Sequence, residues 1–122
     1  MLIQKEPNTG PVSIKHYSPG KIHISGQDYQ CTLHLTPTSL TPVGDDIQFS
    51  TLTTDYLLSL TDSETEVLII GTGESHQFIS TDIVQTLNQQ GVAIEVMATR
   101  QACHTFQVLN YELRKVVALL FL

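Results

Sequence analysis

The chain has 122 residues, 41% of them hydrophobic and 15% charged, so it has enough chain for one hydrophobic core and is too apolar to remain disordered. Six Lys plus Arg against twelve Asp plus Glu leave a net charge of −6 and a pI near 5.1, the opposite of the basic stripe a nucleic-acid module needs. The longest apolar run, Val116 to Leu122, is seven residues, against the roughly 20 that span a bilayer.

The N-terminal sequence, Met1 to Pro7, lacks the basic start and apolar run of a signal peptide. The two cysteines, Cys31 and Cys103, have no metal-type spacing and form no disulfide framework. A soluble, cytoplasmic, single-domain protein spanning residues 1–122 is expected, without direct membrane insertion.

The first 35 residues read as strands. Val12 and Ile14 alternate with polar neighbours, Ser18-Pro19-Gly20 supplies a turn, and Lys21 to Ile24 resumes the alternation. After Ser25-Gly26-Gln27-Asp28, the residues Tyr29, Cys31, Leu33 and Leu35 share one face and Gln30, Thr32 and His34 the other. This predicts an antiparallel β-meander with one buried face. Residues 36–50, with Pro37, Pro42 and Gly44, read as a loop with a short strand around Ile47 to Phe49.

The periodicity then changes. Thr54 is placed to cap a short helix carrying Tyr56, Leu57 and Leu60. Glu66 to Ile70 predicts a buried strand closed by Gly71-Thr72-Gly73. Ser80 or Thr81 caps a second helix with Ile83, Val84 and Leu87 on one face and Gly91 at its end. Val92 to Met97 is another strand. Thr99 opens a third helix with the apolar stripe Ala102, Cys103, Phe106, Leu109 and Leu113, and Val116 to Leu122 is a last strand. Alternating strands and helices imply parallel pairing. The expected fold is α/β: an N-terminal antiparallel meander packed with a mixed sheet and about three helices.

Four features carry candidate chemistry. Gly71-Thr72-Gly73 after a strand invites an anion, but His76 stands where a dinucleotide fingerprint needs its third glycine, and no Gly-Lys-Ser/Thr follows. Cys103 beside His104 resembles a thiol nucleophile, although adjacent helical residues do not face each other and Cys103 lies on the apolar stripe. Glu95 within an apolar strand is either an acid–base group or a structural group that pairs with Arg114 or caps a backbone donor. With Thr99, these residues define a candidate ligand crevice of Gly71, Thr72, Gly73, Glu95, Thr99 and Cys103 at the carboxyl ends of the strands. The fourth feature is a polar stripe of Arg100, His104, Gln107 and Tyr111 on the third helix, rich in residue types favoured at interfaces. The five histidines show no metal spacing, and no cofactor, metal site or catalytic set is expected.

One resemblance rests on a longer pattern. Val67-Leu68-Ile69-Ile70-Gly71-Thr72-Gly73 is followed by Gly91-Val92-Ala93-Ile94-Glu95-Val96-Met97-Ala98-Thr99 and by Ala102-Cys103-His104-Thr105-Phe106. Leu109, Glu112, Arg114, Val116 and Ala118 complete it. The pattern resembles the family of small domains of unknown function that includes mitochondrial respiratory complex I assembly factor 3 and an adipogenesis-associated cytosolic protein. It departs from that family at Gln107, usually Asn, at Leu113, usually Gly, and at Ala98, usually polar. The resemblance implies a meander plus a mixed sheet, no established catalytic residues, and protein partners in assembling a membrane complex. A non-enzymatic interaction or assembly factor is therefore the first expectation. The alternatives are a small-molecule or anion-binding domain, or a thiol or acid–base enzyme. A homodimer remains open.

Overall fold

The computed structural model describes residues 11–122. Three strands, β1 (Ile14–Ser18), β2 (Lys21–Ile24) and β3 (Gln27–Tyr29), form an antiparallel sheet in the order β1-β2-β3. The β2–β3 turn has Ser25 at φ 50° and Gly26 at φ 87°. Two consecutive left-handed residues match the twist of a tight hairpin, and glycine reaches that region without a Cβ clash.

The alternation from Tyr29 to Leu35 does not make one strand. Tyr29 pairs with Ile22, and β2 has only Lys21 left before the β1–β2 turn, so a longer β3 would have almost no partner. The chain bends through residues 30–32 and enters a second sheet as β4 (Leu33–Thr36). There, Leu33 faces Leu120 and Leu35 faces Ala118, and both leucines are fully buried.

A hairpin joins β4 to β5 (Ser39–Pro42), where a loop was expected. Its pattern is faint because only Leu40 is buried, and β5 is an edge strand, where a proline is tolerated. Ile47 to Phe49 forms no strand. Phe49 instead opens a 3-10 turn to Thr51 and packs edge-on against Phe121, ring centres 6.0 Å apart.

The second half follows the predicted alternation: α1 (Thr54–Ser59), β6 (Val67–Thr72), α2 (Thr81–Gln89), β7 (Ala93–Met97), α3 (Thr99–Tyr111) and β8 (Val116–Phe121). The cap of α1 is Thr53, one residue earlier than expected, its hydroxyl accepting from the Tyr56 amide at 3.1 Å. Ser80 caps α2.

The five-stranded sheet runs β5-β4-β8-β6-β7, with β6 parallel to both β7 and β8, and β4 antiparallel to its neighbours. One crossover leaves β6 for the edge and the next returns past it to β8. Crossovers of one hand then put α2 and α3 on opposite faces. The side chains follow suit. Val116, Ala118 and Leu120 face the layer of α3 and the meander, with Phe106, Ile22 and Ile24. Val117 and Leu119 face the layer of α1 and α2, with Leu57 and Leu87. A central strand buried on both faces explains the uninterrupted apolar run of β8.

Leu113 does not belong to the helical stripe. It follows the α3 cap at φ 62°, is 87% exposed, and its amide bonds the Asn110 carbonyl at 3.0 Å while Arg114 bonds Leu109. This is the left-handed helix ending that glycine usually occupies.

Candidate functional site

The carboxyl ends of β6 and β8 meet the start of α3 at Gly71, Gly73 and Thr99. Gly71 is not a turn residue but lies inside β6, under the helix. A Cβ on it would stand 2.7 Å from Thr99 Oγ1, 3.1 Å from Thr99 Cα and 3.0 Å from Leu120 Cδ2. Thr99 is fully buried; its hydroxyl accepts the Gly73 amide at 2.8 Å and donates to the Phe121 carbonyl, while its own amide donates to the Gly73 carbonyl at 2.9 Å. The clamp ties the ends of both strands to the helix. It also uses the Gly73 amide that a bound anion would need.

Thr72 turns into the following loop: its hydroxyl donates to the Ser75 carbonyl at 2.7 Å and accepts the Gln77 amide at 3.2 Å. Glu95 is exposed on the edge strand β7, so its carboxylate needs no buried partner. Arg114 pairs instead with Glu66 at 2.6 Å, and this hydrogen bond holds the Glu66 carboxyl below its usual range. Of the six crevice candidates, the fold thus brings together Gly71, Gly73 and Thr99. Cys103 sits one turn along α3 with its thiol in the core, where burial pushes its pKa up to about 11 despite the nearby Arg100. A thiol in that state is almost wholly protonated at neutral pH and makes a poor nucleophile.

The polar stripe of α3 is divided between two roles. Gln107 reaches the edge of β1 and behaves like a neighbouring strand: Nε2 donates to the Ile14 carbonyl at 3.0 Å and Oε1 accepts the Ile14 amide at 3.3 Å. Arg100 donates to the Tyr17 carbonyl at 3.2 Å, its guanidinium 5.2 Å from the centre of the Tyr17 ring. These contacts dock α3 on the meander. His104 stays exposed, as do Val108 at 41% and Tyr111 at 90%.

Between β1 and α3 runs an open groove of about 310 Å³, lined by Ile14, Lys15, His16, Tyr17, Arg100, Cys103, His104 and Gln107. The sequence pointed to its helical wall. Its other wall, with Lys15 and His16, was hidden because no local pattern says which strand lies beside the helix. Among the described residues, no group of three or more His, Cys, Asp or Glu is placed to hold a metal ion, and no helix is long and apolar enough to cross a membrane.

The family described as protein of unknown function (DUF498/DUF598) matches residues 14–121. The chain is 33% identical over 123 residues to NADH dehydrogenase (ubiquinone) 1 alpha subcomplex assembly factor 3 of Danio rerio, covering 98% of this chain and 68% of that protein. It is 27% identical over 117 residues to the 13 kDa major membrane protein of Francisella tularensis subsp. holarctica, covering 95% of each. A crystal structure of a Bordetella parapertussis protein superposes with a TM-score of 0.78 at 25% identity, over 93% of this chain and 97% of that one. The chain belongs to the DUF498/DUF598 family.

Proposed function

We propose that the chain is a non-enzymatic interaction module that assists the assembly of a membrane complex from its aqueous side, in the cytoplasm, and that α3 presents the contact surface. The observation that carries this reading is the division of the α3 stripe. Arg100 and Gln107 fix the helix to β1, so His104, Val108 and Tyr111 are held out on a rigid element. A preorganised surface loses little conformational entropy on binding, and tyrosine is a residue type favoured at interface hot spots. The relative named as an assembly factor supports the same class of role. Catalysis is not favoured by a buried, protonated Cys103 and a solvent-facing Glu95.

The test is capture of partners by crosslinking from the native cell, comparing the wild type with a double variant carrying Val108→Glu and Tyr111→Ala, two exposed positions that take no part in docking α3 on β1. The variant should lose the captured partner while keeping its circular dichroism spectrum and cooperative melt. Undiminished capture by a folded double variant would remove this surface from consideration.

A further inference from the structure

Among the described residues, the groove between β1 and α3 gathers the cations that no carboxylate pairs. Among the described residues, three cations have carboxylate partners: Lys21 with Asp28 at 3.5 Å, Arg114 with Glu66 at 2.6 Å and Lys115 with Glu64 at 3.8 Å. Lys15 and Arg100 have none, and both line this one groove, together with His16 and His104. Among the described residues no Asp or Glu lines it, and the nearest acidic influence is Glu74, which adds to burial in raising the pKa of Tyr17. On a chain of net charge −6, a groove holding two cations that no described carboxylate pairs is the place where an acidic group meets least repulsion.

We infer that the groove binds an acidic, extended segment of a protein partner, whose carboxylates meet Lys15, Arg100 and His104 and whose apolar residue lies on Val108 and Tyr111. The inference rests on the interaction role proposed above and names the chemistry of the partner. Two further features argue for a side-chain-read segment. Gln107 already occupies both the amide and the carbonyl of Ile14, so an incoming strand finds that part of the β1 edge filled, and strand addition is disfavoured. His104, Val108 and Tyr111 succeed Arg100 at spacings of three and four, so charge passes into apolar surface along one helical face. From Arg100 to Tyr111 the helix rises roughly 16 Å, the reach of about five extended residues.

The experiment is a fluorescence-polarisation titration with a labelled six-residue probe, three acidic residues followed by leucine, phenylalanine and alanine. A counterpart probe carries lysines in place of the acids. The wild type should bind the acidic probe, with an affinity that falls as salt rises, and should ignore the lysine probe. Lys15→Glu combined with His104→Glu should weaken binding about tenfold or more, because one positive charge on that rim is reversed and a negative one is added beside it. Both side chains are exposed and make no hydrogen bond or ion pair within the described residues, so the fold should survive. Lys115→Glu, on a paired cation elsewhere, should change nothing.

No binding of the acidic probe, equal binding of the lysine probe, or full binding by the Lys15/His104 variant would overturn the inference. So would self-association of the wild type that this variant abolishes, since the occupant would then be a second copy. Partner capture that survives in the Lys15/His104 variant but is lost in the Val108/Tyr111 variant would leave the interaction role standing and remove only the acidic segment.

Discussion

Gly71→Ala tests the clamp that sets α3 over the sheet. Gly71 does not need positive φ, so alanine fits the backbone, and on conformational entropy alone it should stabilise the strand by about 0.5–1 kcal/mol. Packing opposes this. The new methyl would lie 2.7 Å from Thr99 Oγ1 and 3.1 Å from Thr99 Cα, and a helix backbone atom cannot yield as a side-chain tip can. Separating them means lifting the start of α3 and stretching the bonds that Thr99 makes with Gly73 and Phe121. Overpacking of this kind costs about 1–3 kcal/mol, and disturbing a buried hydrogen bond adds about 1–3 kcal/mol. A net loss of about 1–5 kcal/mol should lower Tm by about 4–20 °C for a domain of this size. Urea titration and calorimetry give the value directly. A variant as stable as the wild type, or more stable, would refute the close approach of α3 to β6.

Three other perturbations have clear signs. Leu113→Gly should stabilise the protein by about 0.5–1 kcal/mol in urea unfolding, because leucine at φ 62° carries a left-handed strain that glycine lacks, and its exposed side chain loses little packing. Iodoacetamide at neutral pH should alkylate the half-buried Cys31 in the folded protein and reach Cys103 only on unfolding, as peptide mass mapping would read; early labelling of Cys103 would contradict its core placement. His34 lies half-buried on β4, its Nε2 without a hydrogen-bond partner among the described residues, and burial, partly offset by the Leu60 backbone, holds its pKa below the usual 6.5. The folded state then binds this proton more weakly than the unfolded chain, so its contribution is constant above pH 6.5 and stability falls as pH drops through 6.5 towards the folded pKa. His34→Leu should flatten that part of the stability profile, above the range where carboxylates titrate.

Much of the second half was legible because its elements carry strong, self-contained patterns. Val67 to Ile70 and Val116 to Leu120 are buried on both faces, and the α2 and α3 stripes have helical spacing with caps at Ser80 and Gly91. The first half was harder. Strand alternation records which face is buried but not which sheet receives the strand, so Tyr29 and Leu33 read as one element although they pair with β2 and β8. The edge strand β5 buries only Leu40 and leaves little periodic trace.

The candidate site divides in the same way. Arg100, His104 and Tyr111 were visible as a helical stripe, whereas the pairing of Gln107 with Ile14 links residues 93 positions apart and leaves no local signal. Gly71-Thr72-Gly73 reads as a ligand loop because two glycines in close succession are common to anion sites and to close-packed backbone. Only the position of Thr99 against Gly71 distinguishes the two.

That the β1–α3 face receives the partner is tested most directly by carbodiimide crosslinking, which condenses lysine amines with carboxylates, followed by mass spectrometry of the captured complex. Lys15 lines the groove on that face, whereas Lys115 lines a separate cavity of about 320 Å³ with Thr36, Asp62 and Thr65. Crosslinks from Lys15 to an acidic, apolar stretch of the partner, with none from Lys115, are the predicted result. Crosslinks through Lys115 alone would place the partner away from the β1–α3 groove and overturn that assignment.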